Sequence, residues 1–240
     1  MLRGRRETIR WISERLTFVV ALGLAAGLAF SAFVIWGFFE LADAVMEGDS
    51  RAFDRAVLLY IHQNVPDWLD TPMRLVTALG YYYVVVPLLA VVLFMFYRRG
   101  WRLSAVLLVV STGGSIVLTT VLKGVFRRAR PELFDSGYQA SFYSFPSGHA
   151  TVAVGFYGML TVILAYRLRG PARWLMAALG VLVIILIGSS RLYLGVHYPT
   201  DILAGYLSAL LWLVCVGGVY ALWLSVRGLR AAESSREGGQ

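Results

Sequence analysis

Three groups of residues in this 240-residue chain have the types and spacing to act on an anion. The first is Lys123-Gly-Val-Phe-Arg127-Arg128-Ala-Arg130-Pro131, four cations within eight residues. Lys123 is the only lysine among 22 basic residues, and a compact ammonium does not substitute for a planar guanidinium. Lys123 and Arg130 are seven apart, so on a helix they return to nearly one face after about two turns. Pro131 marks the end of that helix. Such a pair either converges on a small anion, with arginine bidentate and lysine as a point charge, or sits on a solvated loop. The second group is Phe145-Pro146-Ser147-Gly148-His149. Gly148 lets backbone approach a ligand, and N–H groups at a helix start favour anions. Ser147 either caps that helix or gives its hydroxyl to an oxyanion. His149 is either functional or a capping and packing residue. The third group runs from Ser190-Arg191 through His197 to Asp201. Pro199 suits the first turn of a helix. A carboxylate four residues after His197 can accept its Nδ1–H and fix its tautomer, leaving Nε2 free to attack. The alternative is a capping aspartate beside an unrelated histidine.

The elements that position these groups are apolar. The chain is 58% hydrophobic and 15% charged, against about 45–50% and about 25% in an ordinary soluble domain. That balance excludes disorder and argues against a water-soluble enzyme. Six uncharged runs, 17–39, 75–97, 103–122, 150–166, 174–190 and 202–226, approach the length needed to span a bilayer, about 17–25 residues. The expected fold is therefore an all-α polytopic membrane protein of six transmembrane helices. Residues 1–16 form a basic N-terminal segment, 17–226 one membrane domain and 227–240 a polar, disordered tail. Arginines gather on one side of these spans: Arg3, Arg5, Arg6, Arg10, Arg15, Arg98, Arg99, Arg102, Arg167, Arg169, Arg173, Arg227, Arg230 and Arg236. The positive-inside rule puts that side, and both termini, in the cytoplasm. All three reactive groups then lie on the outer side, where the cationic run of 123–130 is out of trend.

Other features set smaller expectations. Residues 53–65 mix apolar and polar positions, and Val57, Leu58, Tyr60 and Ile61 suit an interfacial amphipathic helix. Trp68, Tyr81, Tyr82 and Tyr83 suit an aromatic belt. Ala42-Asp43-Ala44 resembles a signal cleavage site, but the preceding run is longer than a signal core, so it is read as an uncleaved span that Glu40 ends. Gly23 and Gly27 permit close helix contact. His62 is read as structural. The one cysteine, Cys215, excludes an internal disulfide and a thiol metal cluster.

In its motifs the chain resembles the type 2 phosphatidic acid phosphatase superfamily, the integral-membrane lipid phosphate phosphatases. That family carries Lys-x6-Arg-Pro, Pro-Ser-Gly-His and Ser-Arg-x5-His-x3-Asp. Here these are Lys123 with Arg130-Pro131, Pro146 to His149, and Ser190-Arg191 with His197 and Asp201, without departure. The resemblance implies roles for each. His197 is the nucleophile that forms a phosphohistidine, Asp201 orients it, and His149 protonates the leaving oxygen. Lys123, Arg130, Arg191, Ser147 and Gly148 hold the phosphate. Arg127 and Arg128 lie outside the signature and are expected to meet anionic headgroups. No metal, cofactor or obligate protein partner is implied. The expected activity is hydrolysis of a lipid monoester or diphosphate at the outer face of a plasma membrane. Undecaprenyl diphosphate, phosphatidylglycerophosphate and phosphatidic acid are the expected substrates.

Two other functions compete. A phosphotransferase of the same fold would pass the phosphoryl group to another acceptor. A transporter would carry ionisable groups in mid-span, and the six runs have none. Nucleic-acid binding is disfavoured because the basic residues are scattered over membrane connections.

Overall fold

The computed structural model describes residues 2–134 and 137–237, with side chains described for 22–23, 25–134 and 137–223. Helix α1 (Leu2–Glu47) is followed by α2 (Arg51–Asn64), α3 (Asp70–Ala78), α4 (Tyr82–Arg98) and α5 (Arg102–Phe126). After a long irregular connection come α6 (Gly148–Ala153), a π turn (Val154–Gly158) and α7 (Met159–Arg167), then α8 (Pro171–Tyr193) and α9 (Pro199–Glu237). No strand occurs among the described residues.

Five helices are long and apolar enough to cross a membrane: Ala25–Glu47, Arg102–Phe126, Gly148–Arg167, Pro171–Tyr193 and Pro199–Trp223. The sixth expected span, 75–97, is broken. α3 and α4 meet at an angle of 51°, and Leu79, Gly80 and Tyr81 close the break with three-residue turns onto Val76, Thr77 and Ala78. The break leaves the carbonyl of Leu79 outside a helical ladder, and Tyr157 Oη donates to it at 2.8 Å. Side-chain pressure also fixes the place. A Cβ on Gly80 would lie 2.7 Å from His149 Cδ2 and 3.0 Å from Ile187.

Other boundaries differ from expectation. Glu40 is exposed and does not end the first helix, which runs on to Glu47. α2 is amphipathic as expected, but Asp54 and Leu58 are both fully buried and the helix packs on α8 and α9. α9 is helical as far as Glu237, because Leu229, Ala231, Ala232 and Glu233 are good helix formers. Residues 238–240 lie outside the described residues, so only part of the tail is addressed. Nothing lies within 4 Å of a Cβ built on Gly23 or Gly27.

The bundle is turned inside out relative to a soluble protein. Phe33 and Val117 are 62% and 63% exposed, while Ser111 and Ser115 on α5 are wholly buried. In hydrocarbon, apolar side chains gain nothing by facing inward, and small residues let backbones approach. The π turn shows this most clearly. Its widened loop frees the carbonyl of Gly155, which accepts from Ser111 Oγ at 2.7 Å. A Cβ on Gly155 would come within 2.1 Å of Ser115 Oγ. An apolar cluster of Val85, Phe96, Leu108, Phe156, Met159, Ile163 and Val216 fills the middle of the bundle. A second, of Phe38, Ala42, Val45, Phe145 and Ala204, backs the site.

Gly155→Ala should overpack this contact at a cost of about 1–3 kcal/mol. The thermal unfolding midpoint in detergent micelles should then fall by about 2–10 °C. Gly23→Ala, with open space around it, should not lower the midpoint.

Candidate active site

The three reactive groups meet at one end of the bundle. Helix α5 delivers Lys123 in its last turn, and a left-handed residue, Arg127, ends the helix four residues later. Arg130 is therefore not on the helix, and the shared-face argument does not describe how it meets Lys123. The two converge because the chain after Arg127 runs back beside residues 141–144. Lys123 Nζ donates to the carbonyl of Tyr143, and Arg130 Nη2 reaches the same oxygen at 3.4 Å. Arg130 also donates to the carbonyls of Phe142 (2.8 Å), Ser141 (2.8 Å) and Val196 (2.7 Å).

His197 lies in the short connection between α8 and α9 and is 1% exposed. Its Nδ1 is 3.2 Å from Asp201 Oδ2, in the first turn of α9. Its Nε2 is 3.2 Å from Arg130 Nη1. An arginine only donates, so Nε2 is the acceptor and Nδ1 carries the proton, as expected from the spacing. Burial first, then the positive charges of Arg191, Arg130 and Lys123, hold the His197 pKa well below the usual histidine value. Arg130 is itself lowered to about 10 by burial and by Arg191, which leaves it protonated at neutral pH.

Ser147, Gly148 and His149 open α6. Of the two readings of Ser147, the side-chain cap is not formed. Ser147 instead donates its backbone N–H to the carbonyl of Asp201 at 2.9 Å. Its Oγ is buried without a hydrogen-bond partner, and Gly205 of α9 packs closely on the backbone there: a Cβ on Gly205 would lie 2.8 Å from Ser147 O. Gly148 sits 3.8 Å, measured from a built Cβ, from Lys123 Cε. His149 meets the ring of Tyr81 edge-on at 4.4 Å, and its Nε2 is buried without a partner. The cations that act on it are Arg191, Arg130 and Lys123. Arg191 is 1% exposed; Nη1 donates to Thr77 Oγ1 (2.9 Å) and Tyr138 Oη (3.1 Å).

Several residues of the site were missed by sequence reasoning. Tyr81, read from the sequence only as an interfacial aromatic, also belongs to the site: it hydrogen-bonds Tyr138 at 2.5 Å and lies 6.0 Å from Arg191 across its ring. Thr77 and Tyr138 had no signal beyond being polar. Arg128 does not face headgroups. It is bonded to Asp201 (2.7 Å) and to the fully buried Asp54 (2.6 Å), because two carboxylates inside the bundle demand a cation. Its place inside the dense cationic run was the available clue. Arg127 is exposed, and its side chain bonds its own helix end, Gly124 O, at 2.9 Å. His62 stacks on Phe134 at 4.0 Å, outside the site.

The arrangement offers a neutral imidazole whose Nε2 lone pair is held by Arg130, a second imidazole, and cations whose acceptors are mostly neutral. That combination suits an incoming anion with a phosphorus or similar electrophile. No group of three His, Cys, Asp or Glu with metal-holding geometry occurs among the described residues.

Comparisons with known proteins point the same way. Residues 104–224 match the PAP2 superfamily. Phosphatidylglycerophosphatase B of Bacillus subtilis (strain 168) is 31% identical over 180 residues, which cover 73% of this chain and 85% of that protein. An undecaprenyl-diphosphatase of Sulfolobus acidocaldarius is 36% identical over 111 residues, 44% of this chain and 50% of that protein. The crystal structure of a transmembrane PAP2-type phosphatidylglycerolphosphate phosphatase from Bacillus subtilis aligns with a TM-score of 0.72 and 28% identity, covering 80% of this chain and 96% of that one.

The His197 environment has a direct readout. A nitrogen-detected NMR titration of histidine-labelled protein should keep the His197 ring neutral at pH 6, with its midpoint well below 6.5. The unfolded chain takes up this proton first, near pH 6.5. The residue's contribution to stability is thus complete above that pH and falls as pH drops toward the folded value.

Proposed function

From the premise that the chain belongs to the PAP2 superfamily, we propose that this site hydrolyses a membrane lipid phosphate through a phosphohistidine on His197. The protein is a multi-pass membrane hydrolase of lipid phosphates. The observation that carries the mechanism is the bonding of one ring: His197 Nδ1 on Asp201, and Nε2 in hydrogen-bonding distance of Arg130.

In the proposed reaction, a phosphate entering the site takes the Arg130 N–H onto one of its oxygens and releases the Nε2 lone pair. Nε2 attacks phosphorus, the N–P bond forms, and the P–O bond to the lipid breaks. His149 gives its proton to the leaving oxygen, a step worth about 10²–10⁴-fold. Water then attacks the phosphohistidine with His149 taking its proton, and free phosphate leaves. Lys123, Arg130, Arg191, the Ser147 hydroxyl and the Gly148 backbone hold the equatorial oxygens, where the charge of a loose transition state is spread. Asp201 keeps the His197 tautomer and stabilises its positive charge after attack. The covalent step divides a hard displacement into two easier ones.

The proposed substrates are undecaprenyl diphosphate, phosphatidylglycerophosphate and phosphatidic acid; the first two classes are the ones for which the relatives above are named. The proposed location is the plasma membrane, with the site on the outer side and both termini cytoplasmic. The gathering of arginines in the N-terminal segment, the 98–102 and 167–173 connections and the tail supports that orientation. The reaction needs no metal, cofactor or protein partner.

Purified protein with EDTA present should release phosphate from at least one of the three lipids. His197→Ala should lower that rate by at least about 10³-fold and abolish an acid-labile phosphoenzyme. Near-normal turnover by that variant overturns the mechanism. A phosphorylated acceptor in place of free phosphate would make the enzyme a transferase.

A further inference from the structure

The catalytic carboxylate has two oxygens with different duties. Asp201 Oδ2 accepts from His197 Nδ1 at 3.2 Å and from the backbone N–H of Tyr198 at 2.8 Å. Oδ1 accepts from Arg128 Nη1 at 2.7 Å. The other terminal nitrogen of Arg128 donates to Asp54 Oδ2 at 2.6 Å. Asp54 is closed off by Thr200, whose backbone N–H and hydroxyl reach its two oxygens at 3.2 and 2.7 Å. Thr200 Oγ1 also accepts from Arg128 Nη1 at 2.8 Å, and the guanidinium lies 4.2 Å over the Tyr198 ring. Asp54 and Asp201 are both fully buried.

These partners come from three distant stretches: α2, the connection after α5 and the start of α9. A carboxylate held by one oxygen can rotate about its Cβ–Cγ bond. Held by both, it has one orientation, and so does the imidazole bonded to it. A planar guanidinium is the side chain able to bridge two carboxylates with two nitrogens at once; an ammonium meets them from a single point.

We propose that Arg128, clamped by Asp54, is a positioning residue of the reaction: it fixes Asp201 and, through it, the tautomer and ring plane of His197. This rests on the reading of His197 as nucleophile. Arg128 need not touch the phosphate, and its effect falls on attack rather than on binding. A cavity of about 350 Å³, lined in part by Arg51, Arg55, Arg128, Leu133 and Tyr198, opens beside the guanidinium. Removing the Arg128 side chain would leave the two carboxylates facing that space.

The test uses full-length protein in detergent micelles with phosphatidic acid. Arg128→Ala should lower kcat by about 10–100-fold, the range for lost groups that orient a ligand residue, with KM changed less than about threefold. Phosphoenzyme formation in a single turnover should slow by the same factor. Added guanidinium at millimolar concentration should restore part of kcat, and a merely structural residue would show no such rescue. Asp54→Asn and Arg128→Lys, which keep volume and polarity, should show the same split if Arg128→Ala fails to fold. Normal kcat in folded Arg128→Lys and Asp54→Asn, or a loss confined to KM, overturns the proposal. An active His197→Ala control would instead overturn the nucleophile assignment on which it rests.

Discussion

A buried cation turns its donors to the acceptors within reach, and the choice of acceptor decides what the cation can still do. Lys123 and Arg130 meet the carbonyls of residues 141–144 and 196, and Arg191 meets the hydroxyls of Thr77 and Tyr138. These acceptors are neutral. They satisfy donors without cancelling charge, so a positive field persists at low dielectric, where it acts strongly on an anion. Arg128 has the opposite arrangement, with two carboxylates as partners. The four cations of this region are thus divided: three hold charge in reserve for a ligand, and one is neutralised as part of the scaffold. Breaking the scaffold pair by removing a single partner costs about 3–5 kcal/mol in typical buried cases.

That division explains the connection between α5 and α6. A regular helix or strand would use its own carbonyls in a backbone ladder. The described residues of 128–134 and 137–147 are irregular, and the carbonyls freed in this way turn to Arg130 and Lys123. Phe145 anchors the same segment, fully buried against Phe38 and Phe126. The polar side of the segment carries charge and its apolar side is fixed to α1 and α5.

The outline of this architecture was legible in the sequence because it depends on local composition. Long apolar runs give spans, and the motif spacing gave His197 and Asp201 their pairing, since a carboxylate in the first turn of a helix can reach back to the residues just before it. What was not legible depends on contacts between remote segments. Asp54 and Thr200 are 146 residues apart, and Thr77 and Arg191 are 114 apart. No periodicity within α2 or α3 marks those residues. The helical face shared by Lys123 and Arg130 failed for a local reason: Arg127 adopts φ 48°, which ends the helix before Arg130. Convergence then came from the return path of the loop. Tyr81 looked like its neighbours Tyr82 and Tyr83, and although it stacks on Tyr83 at 4.8 Å, it alone of the three is half-buried and lies beside His149.

The π turn at Val154–Gly158 carries one residue more than an α-helix would use over the same rise. Each residue of a helix advances the side chains by about 100°. The half that begins at Gly148 must set its first turn beside Lys123 and Tyr81, whereas the half that ends at Arg167 must match the neighbouring helices. In a strictly regular helix those two orientations would be locked together by arithmetic. The surplus residue works as a phase shift, so each half is set by its own surroundings.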